Sequence, residues 1–560
     1  MRKTLVCFLA GLAGTACLLC GCSEPAAMTV SVPDYDARED TAVYPVNGEI
    51  AYTGKQDVSG IAVDESEKKY LEVDGKPFLY LGAQLRIDFF LQLDGYTLDD
   101  LEYLFRLAST LNITCIQVPI AWSDIETSYG VYSSELLEKV MEFCNEYGMR
   151  LEILWFGSYM CTYTVADDGD ETDGRTGYVP NYILENPEVY RPLGVLTDGS
   201  DFGADGWLGW QYLLMPNVPE LVQRERLAME YMMDAVYAYD SVHGGRHTVI
   251  GVQIENEADG LDFWRFQEVD LQKSYDAVKD ILPEGIEPEN FVEYCEGEMA
   301  EHLSAVGMAV KESDYGCYTR TNLTTNIGWE ERCEQFAAAE GIDFVGVDPY
   351  NDNSADIGSY IRRLDEIEGN FPHIAENGGE FYNNDLLQLS AFAERGGYSV
   401  FEVVCTSNEA LKDWELRGVF TDLGNCRYTK KGQTDRLIEV NRLLKDGHAA
   451  IAAHEGMEIL NGASSTGMEK AVTTGNINGF SFTCSTDERG VGYVAAQGDY
   501  IYFGSTKADT FSFSGNYDAD NIEVGYFDSQ NVWHKEDTVS AKSGELELAA
   551  TRCYRIKKVN

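Results

Sequence analysis

Histidine is scarce in this chain, 7 among 560 residues, and no H-E-x-x-H occurs. That argues against a zinc hydrolase site. His243 and His247 flank the Gly-Gly turn of VHGGRH and read as a surface loop. The 14 cysteines form no C-x-x-C in the body of the chain, and no paired Cys/His spacing is present. Four of them (Cys7, Cys17, Cys20, Cys22) fall in the first segment. The other ten are scattered, and buried free thiols such as Cys115 and Cys144 are the expectation. Basic residues are few as well: Lys and Arg number 42 against 94 Asp and Glu, so the formal charge is 42 − 94 = −52. Such acidity repels phosphate backbones and anionic headgroups, which excludes nucleic acid as an expected partner. Neutral substrates such as sugars are compatible with it.

Only one long apolar run is present, Leu5 to Leu19, behind Arg2 and Lys3. It is short for a membrane span and has the pattern of a signal peptide. Leu19-Cys20-Gly21-Cys22 resembles the bacterial lipobox, which implies cleavage before Cys22 and its acylation. The expected organisation begins with a lipoprotein signal at 1–22 and a polar tether at 23–64. The expected location is outside the cytoplasm, on a bacterial membrane, held through the N-terminal lipid alone.

From about Tyr70 to Leu444, short apolar runs alternate with amphipathic helical stretches, the signature of β/α units around a parallel sheet. The predicted strands are 77–84, 113–120, 150–156, 248–255, 315–322, 343–350, 372–378 and 398–405. Eight such units predict a (β/α)8 TIM barrel over 65–445. An open doubly wound sheet fits less well, because no Gly-rich phosphate turn follows the first strand. KYLEVDGKPFLYL, with an Asp74-Gly75 turn, predicts a hairpin leading into strand one. The long connection at 157–223, rich in Tyr, Trp, Gly and Asp, is expected to wall a cleft. Its acidic stretch DDGDETDG misses the EF-hand spacing and reads as solvated loop. From 446 to 560 the chain alternates apolar and polar residues with frequent Gly, Asn and Asp, which predicts a C-terminal antiparallel β-sandwich.

Two acidic residues stand where chemistry is expected. VIGVQIENEAD puts Asn256 and Glu257 just past strand four, and FPHIAENGG puts Glu376 at the end of strand seven. Breaking a glycosidic bond needs a proton donor and a second carboxylate across the anomeric carbon. Two carboxylates held rigidly at separate strand ends meet that need.

This arrangement resembles the clan A glycoside hydrolases, in which Asn-Glu closes strand four and Glu closes strand seven. VPIAWSDIETSYGVYSSELLEKVMEFCNEYGMRLEILWFGSY further resembles the β-galactosidase-type families 35 and 42, through Trp122, Glu126, Gly130, Tyr132 and Gly148. DGKPFLYLGAQLR and VQIENE also fit, so the likeness runs from about Tyr70 to Cys405. Two departures bear on the sugar. Strand three ends in LWFGSYM where the families have Pro-Gly-Pro-Tyr, and Glu376 lacks a following aromatic.

The resemblance implies a retaining enzyme acting on an oligosaccharide or polysaccharide with no metal or organic cofactor. Glu376 would be the nucleophile and Glu257 the acid/base. Asn256 would hydrogen-bond the sugar 2-hydroxyl, and Tyr350 would donate to Glu376. Trp122, Trp155 and Trp414 are candidate sugar-stacking rings or plain core. Arg86 is a candidate contact to a hydroxyl or acidic substituent, or an ordinary salt bridge. Exo action is expected, with an endo-acting β-glucanase or β-mannanase and a non-catalytic glycan-binding lipoprotein as the alternatives.

Overall fold

The structure is a computed structural model that describes residues 52–92, 94–159, 162–164, 175–191, 210–212, 214–258, 271–406, 417–461, 471–486 and 490–559. Cys22, the signal segment and most of the tether lie outside these residues, as do the acidic stretch at 167–174 and Trp414. Among the described residues no helix is long and apolar enough to cross a membrane.

Eight parallel strands close a barrel. They are β1 (Leu81–Gln84), β2 (Cys115–Ala121), β3 (Arg150–Phe156), β4 (Val249–Ile254), β5 (Tyr318–Thr324), β6 (Phe344–Asp348), β7 (His373–Gly378) and β8 (Gly397–Phe401). Sequence order is spatial order. The ring closes where β8 pairs with β1, Tyr398 opposite Leu81 and Val400 opposite Ala83. Each strand leads to an outer helix: α1 (Leu101–Ser109), α2 (Glu135–Glu146), α3 (Pro219–Val242), α4 (Phe291–Glu312), α5 (Trp329–Ala337), α6 (Ser354–Asp365), α7 (Asn384–Ala393) and α8 (Thr434–Asp446). The helices bury stripes at helical spacing, as α2 does with Leu137, Val140, Met141 and Cys144. Cys115 and Cys144 are free and buried.

Because helices cover the outside and side chains fill the inside, the strands are buried on both faces. The interior is not purely apolar. Arg320 on β5 forms an ion pair with Glu152 on β3, and both side chains are fully buried. The Glu152 carboxylate also accepts the hydroxyls of Tyr80 at 2.6 Å and Tyr318 at 2.5 Å. Gly251 on β4 makes room for this layer, since a Cβ there would stand 2.1 Å from the Tyr318 ring.

The expected hairpin is present: Lys69–Val73 pairs with Lys76–Pro77 and, on its other side, with Ser59–Val63. Beyond α8, two antiparallel sheets face each other. One has the order β9 (Gly456–Asn461), β12 (Val491–Gln497), β13 (Tyr500–Ser505), β18 (Cys553–Lys557), β15 (Ile522–Phe527), β16 (Trp533–Val539). The other has β10 (Ala471–Ile477), β11 (Phe480–Thr486), β14 (Thr510–Ser514), β17 (Glu545–Glu547). Phe480, Phe482, Phe503, Phe511 and Ile556 form the core between them. This is a β-sandwich. Asn531 donates to the Pro77 carbonyl at 2.9 Å and Lys76 to Gln530 at 2.6 Å. Both contacts precede β1, at the barrel end away from the strand C-termini.

Candidate active site

The C-terminal strand ends bring together Glu257, Asn322, Asp348, Tyr350 and Glu376. Glu376, on β7, is only 6% exposed. The Tyr350 hydroxyl, just past β6, donates to its Oε2 at 2.5 Å. The Tyr350 ring is fixed edge-on against Phe401, centroids 6.0 Å apart, with the Arg417 guanidinium 4.4 Å above its face. Burial pushes the Glu376 carboxyl above the ordinary range. The Tyr350 hydrogen bond and the charges of Arg86, Arg320 and Arg417 pull the other way.

Asn322, at the end of β5, organises the opposite side. Its Oδ1 accepts the backbone N–H of Glu257 at 3.0 Å. Its Nδ2 donates to Asn256 Oδ1 at 3.0 Å and to the buried Asp348 carboxyl at 2.6 Å. Asn256 Oδ1 also accepts from Gln253 at 3.2 Å, so the amide nitrogen of Asn256 is left for another acceptor. Asp348 is held well above the carboxylate range by burial and then by the charges of Glu376 and Glu257. Tyr350 is raised by burial and by the same two glutamates. Glu257 and Glu376 therefore bear on one shared pair of groups, Asp348 and Tyr350.

The remaining sequence candidates divide. Arg86 makes a bidentate ion pair with Asp88, at 3.0 and 2.7 Å, and donates to Tyr178 at 3.1 Å. It still acts on Glu376 through its charge. Of the two alternatives for Trp122 and Trp155, the structure has plain core: both rings are fully buried. Each indole N–H is bound to a buried carboxylate, Trp122 to Glu126 at 3.0 Å and Trp155 to Glu225 at 2.8 Å. Glu126 also accepts the Gly130 amide at 2.7 Å and pairs with Arg224, so the Trp-Glu-Gly pattern of this segment builds a turn.

Besides Asn322 and Asp348, two further groups were not legible in the sequence. Glu402, just past β8, is 2% exposed and is pushed up to about 8 by burial, against the Arg86 charge. Behind β4, Glu225 on α3, Glu255 and His302 on α4 gather with ligand-capable atoms within 4.8 Å of one another. Polar residues inside otherwise apolar strand runs were the available signal for Asn322, Asp348 and Glu255.

A family model described as a domain of unknown function (DUF4978) matches residues 298–452. No curated protein matches the chain. Among solved structures the chain is similar to the catalytic domain of a β-amylase from Paenibacillus polymyxa, at 9% identity and a TM-score of 0.41, over 61% of this chain and 98% of that one. It is also similar to a family 39 glycoside hydrolase from the gut symbiont Bacteroides cellulosilyticus WH2, at 10% identity and 0.40, over 89% and 86% of the two chains. A third is a family 30 endoxylanase from Clostridium papyrosolvens C71, at 9% and 0.40, over 90% and 98%.

Chemically, the strand ends offer one buried carboxyl bound by a phenol, a second carboxyl on the turn after β4, and the side-chain amides of Asn256 and Asn322. That set can supply a nucleophile, a proton and hydrogen bonds to hydroxyls.

Proposed function

We propose that this chain is a retaining glycoside hydrolase for β-linked glycans, exo-acting and β-galactosidase-like. The observation that carries the reading is the 2.5 Å hydrogen bond from Tyr350 to Glu376, on a tyrosine whose electrostatic neighbours also include Glu257. Carboxyl groups from the ends of β4 and β7 both act electrostatically on Tyr350, which supports the reading of a shared site for double displacement.

In this reading Glu376 attacks the anomeric carbon while Glu257 protonates the leaving oxygen. Glu257 then takes a proton from water as the glycosyl-enzyme is hydrolysed. Tyr350 and the nearby arginines favour the ionised nucleophile. The amide nitrogen of Asn256 is available to a sugar hydroxyl. Arg86 acts on Glu376 by charge. The enzyme works outside the cytoplasm, tethered through an acylated Cys22.

Screening nitrophenyl glycosides tests the reading. Wild type should release nitrophenol from at least one β-glycoside, and Glu376→Gln should lower turnover on the order of 10³-fold or more while substrate still binds. Unchanged turnover in Glu376→Gln refutes the assignment. Random internal cuts in a defined oligosaccharide refute exo action.

A further inference from the structure

The turn that carries Glu257 is held in an uncommon backbone conformation. Glu255 and Glu257 both have positive φ, 60° and 47°. Non-glycine residues keep such angles only where their surroundings impose them. On one side Asn322 accepts the Glu257 N–H. The other side is gripped through Glu255, whose carboxyl is fully buried. It accepts the backbone N–H of Gly157 at 3.1 Å and of Tyr159 at 3.0 Å, both in the loop after β3.

We propose that Glu255 is the positioning residue for Glu257: by tying the end of β4 to the loop after β3, its carboxyl sets the direction in which Glu257 enters the pocket. The inference rests on the reading of Glu257 as the acid/base.

The loop that Glu255 grips is itself anchored. Glu225 accepts the Trp155 indole at 2.8 Å and the Ser158 N–H at 3.4 Å. His302 Nε2 lies 3.0 Å from both Glu225 and the Ser158 hydroxyl. His302 Nδ1 donates to the Pro216 carbonyl at 2.9 Å. Glycine at 157 is required, because a Cβ would stand 2.0 Å from Glu225 and 2.7 Å from Glu255. The two carboxyl groups thus close over one backbone position.

Burial and charge act against each other within this cluster. Burial tends to discharge His302, but Glu225 raises it above its usual value. Burial tends to raise Glu225, but His302 holds it low. Glu255 is pushed up to about 8, by burial and then by Glu225. Among the described residues, the groups facing Glu255 include Glu225 from α3, His302 from α4 and the N–H groups of the β3 loop. Burial and Glu225 thus oppose ionisation of Glu255, while the N–H groups of Gly157 and Tyr159 favour it.

The variants Glu255→Ala and Glu255→Gln test this in the full-length protein. Alanine should lower kcat about 100-fold, the cost of misplacing a catalytic group by about 1 Å, with KM changed far less. Glutamine keeps an acceptor for one of the two N–H groups and cannot ionise. It should lose about 10-fold in kcat. Crystal structures supply a readout independent of turnover: Glu257 should be displaced in Glu255→Ala. Wild-type kcat in Glu255→Ala, or a Glu257 unmoved in that crystal, overturns the inference. So does one equivalent of divalent metal in the purified protein, which would make Glu255 a ligand. A wild type inactive on every glycoside defeats the proposed function instead, and the crystals then decide the positioning role.

Discussion

Replacing Tyr350 by phenylalanine removes one oxygen and keeps the ring. The ring is held by Phe401 and Arg417, so phenylalanine fills the same space. What is lost is a 2.5 Å hydrogen bond to a carboxylate. Hydrogen bonds to charged groups contribute about 1.5–3 kcal/mol. At about 1.4 kcal/mol per factor of ten, that corresponds to roughly 10- to 150-fold in kcat/KM. The sign for pH follows from what the phenol favours. Its hydrogen bond stabilises the ionised form of Glu376, against the upward push of burial. Without it, the ionised fraction at any given pH falls, so the acid limb of kcat/KM moves to higher pH. The assay is a pH–rate profile on whichever nitrophenyl glycoside the wild type cleaves, with circular dichroism to confirm folding. An acid limb that stays in place or moves down, or an unchanged kcat/KM, refutes the reasoning.

Arg320→Met leaves Glu152 buried without its ion-pair partner, which should cost about 3–5 kcal/mol. A urea midpoint should show it, and the double variant with Glu152→Leu should recover most of the loss. Glu402 is raised from 4.5 to about 8 in the folded protein, chiefly by burial. Its contribution to stability is full below about pH 4.5 and is lost as pH rises towards 8, because only the unfolded chain ionises freely in that window. Glu402→Gln should therefore flatten the fall of Tm between pH 5 and 8, and an unchanged slope would count against this assignment.

The barrel was legible because strands covered on both faces leave apolar runs. The boundaries slipped where interior polar groups interrupt those runs. Strand five was read at 315–322 and runs Tyr318–Thr324, with Arg320 and Asn322 along it. Strand one was read from Pro77, which instead pairs in the preceding hairpin, and begins at Leu81. The same ambiguity hid Asn322 and Asp348: a polar residue in a strand looks alike whether it faces water or a barrel interior. Trp122 and Trp155 were placed at strand ends, but which way a ring faces depends on its carboxylate partner. Glu126 lies four residues from Trp122, whereas Glu225 lies 70 residues from Trp155, beyond any local pattern.

Closure of the ring bears on the stretch matched by the family of unknown function. Residues 298–452 contain β5 to β8, with Tyr350 and Glu376, but neither β1 nor β4. Cut out alone, that half-cylinder would present two raw strand edges, at β5 and β8, where any other extended chain could pair. Arg320 would lose Glu152, and Asn322 would have no Glu257 to hold. In this protein the segment is one half of a ring that only the first half closes.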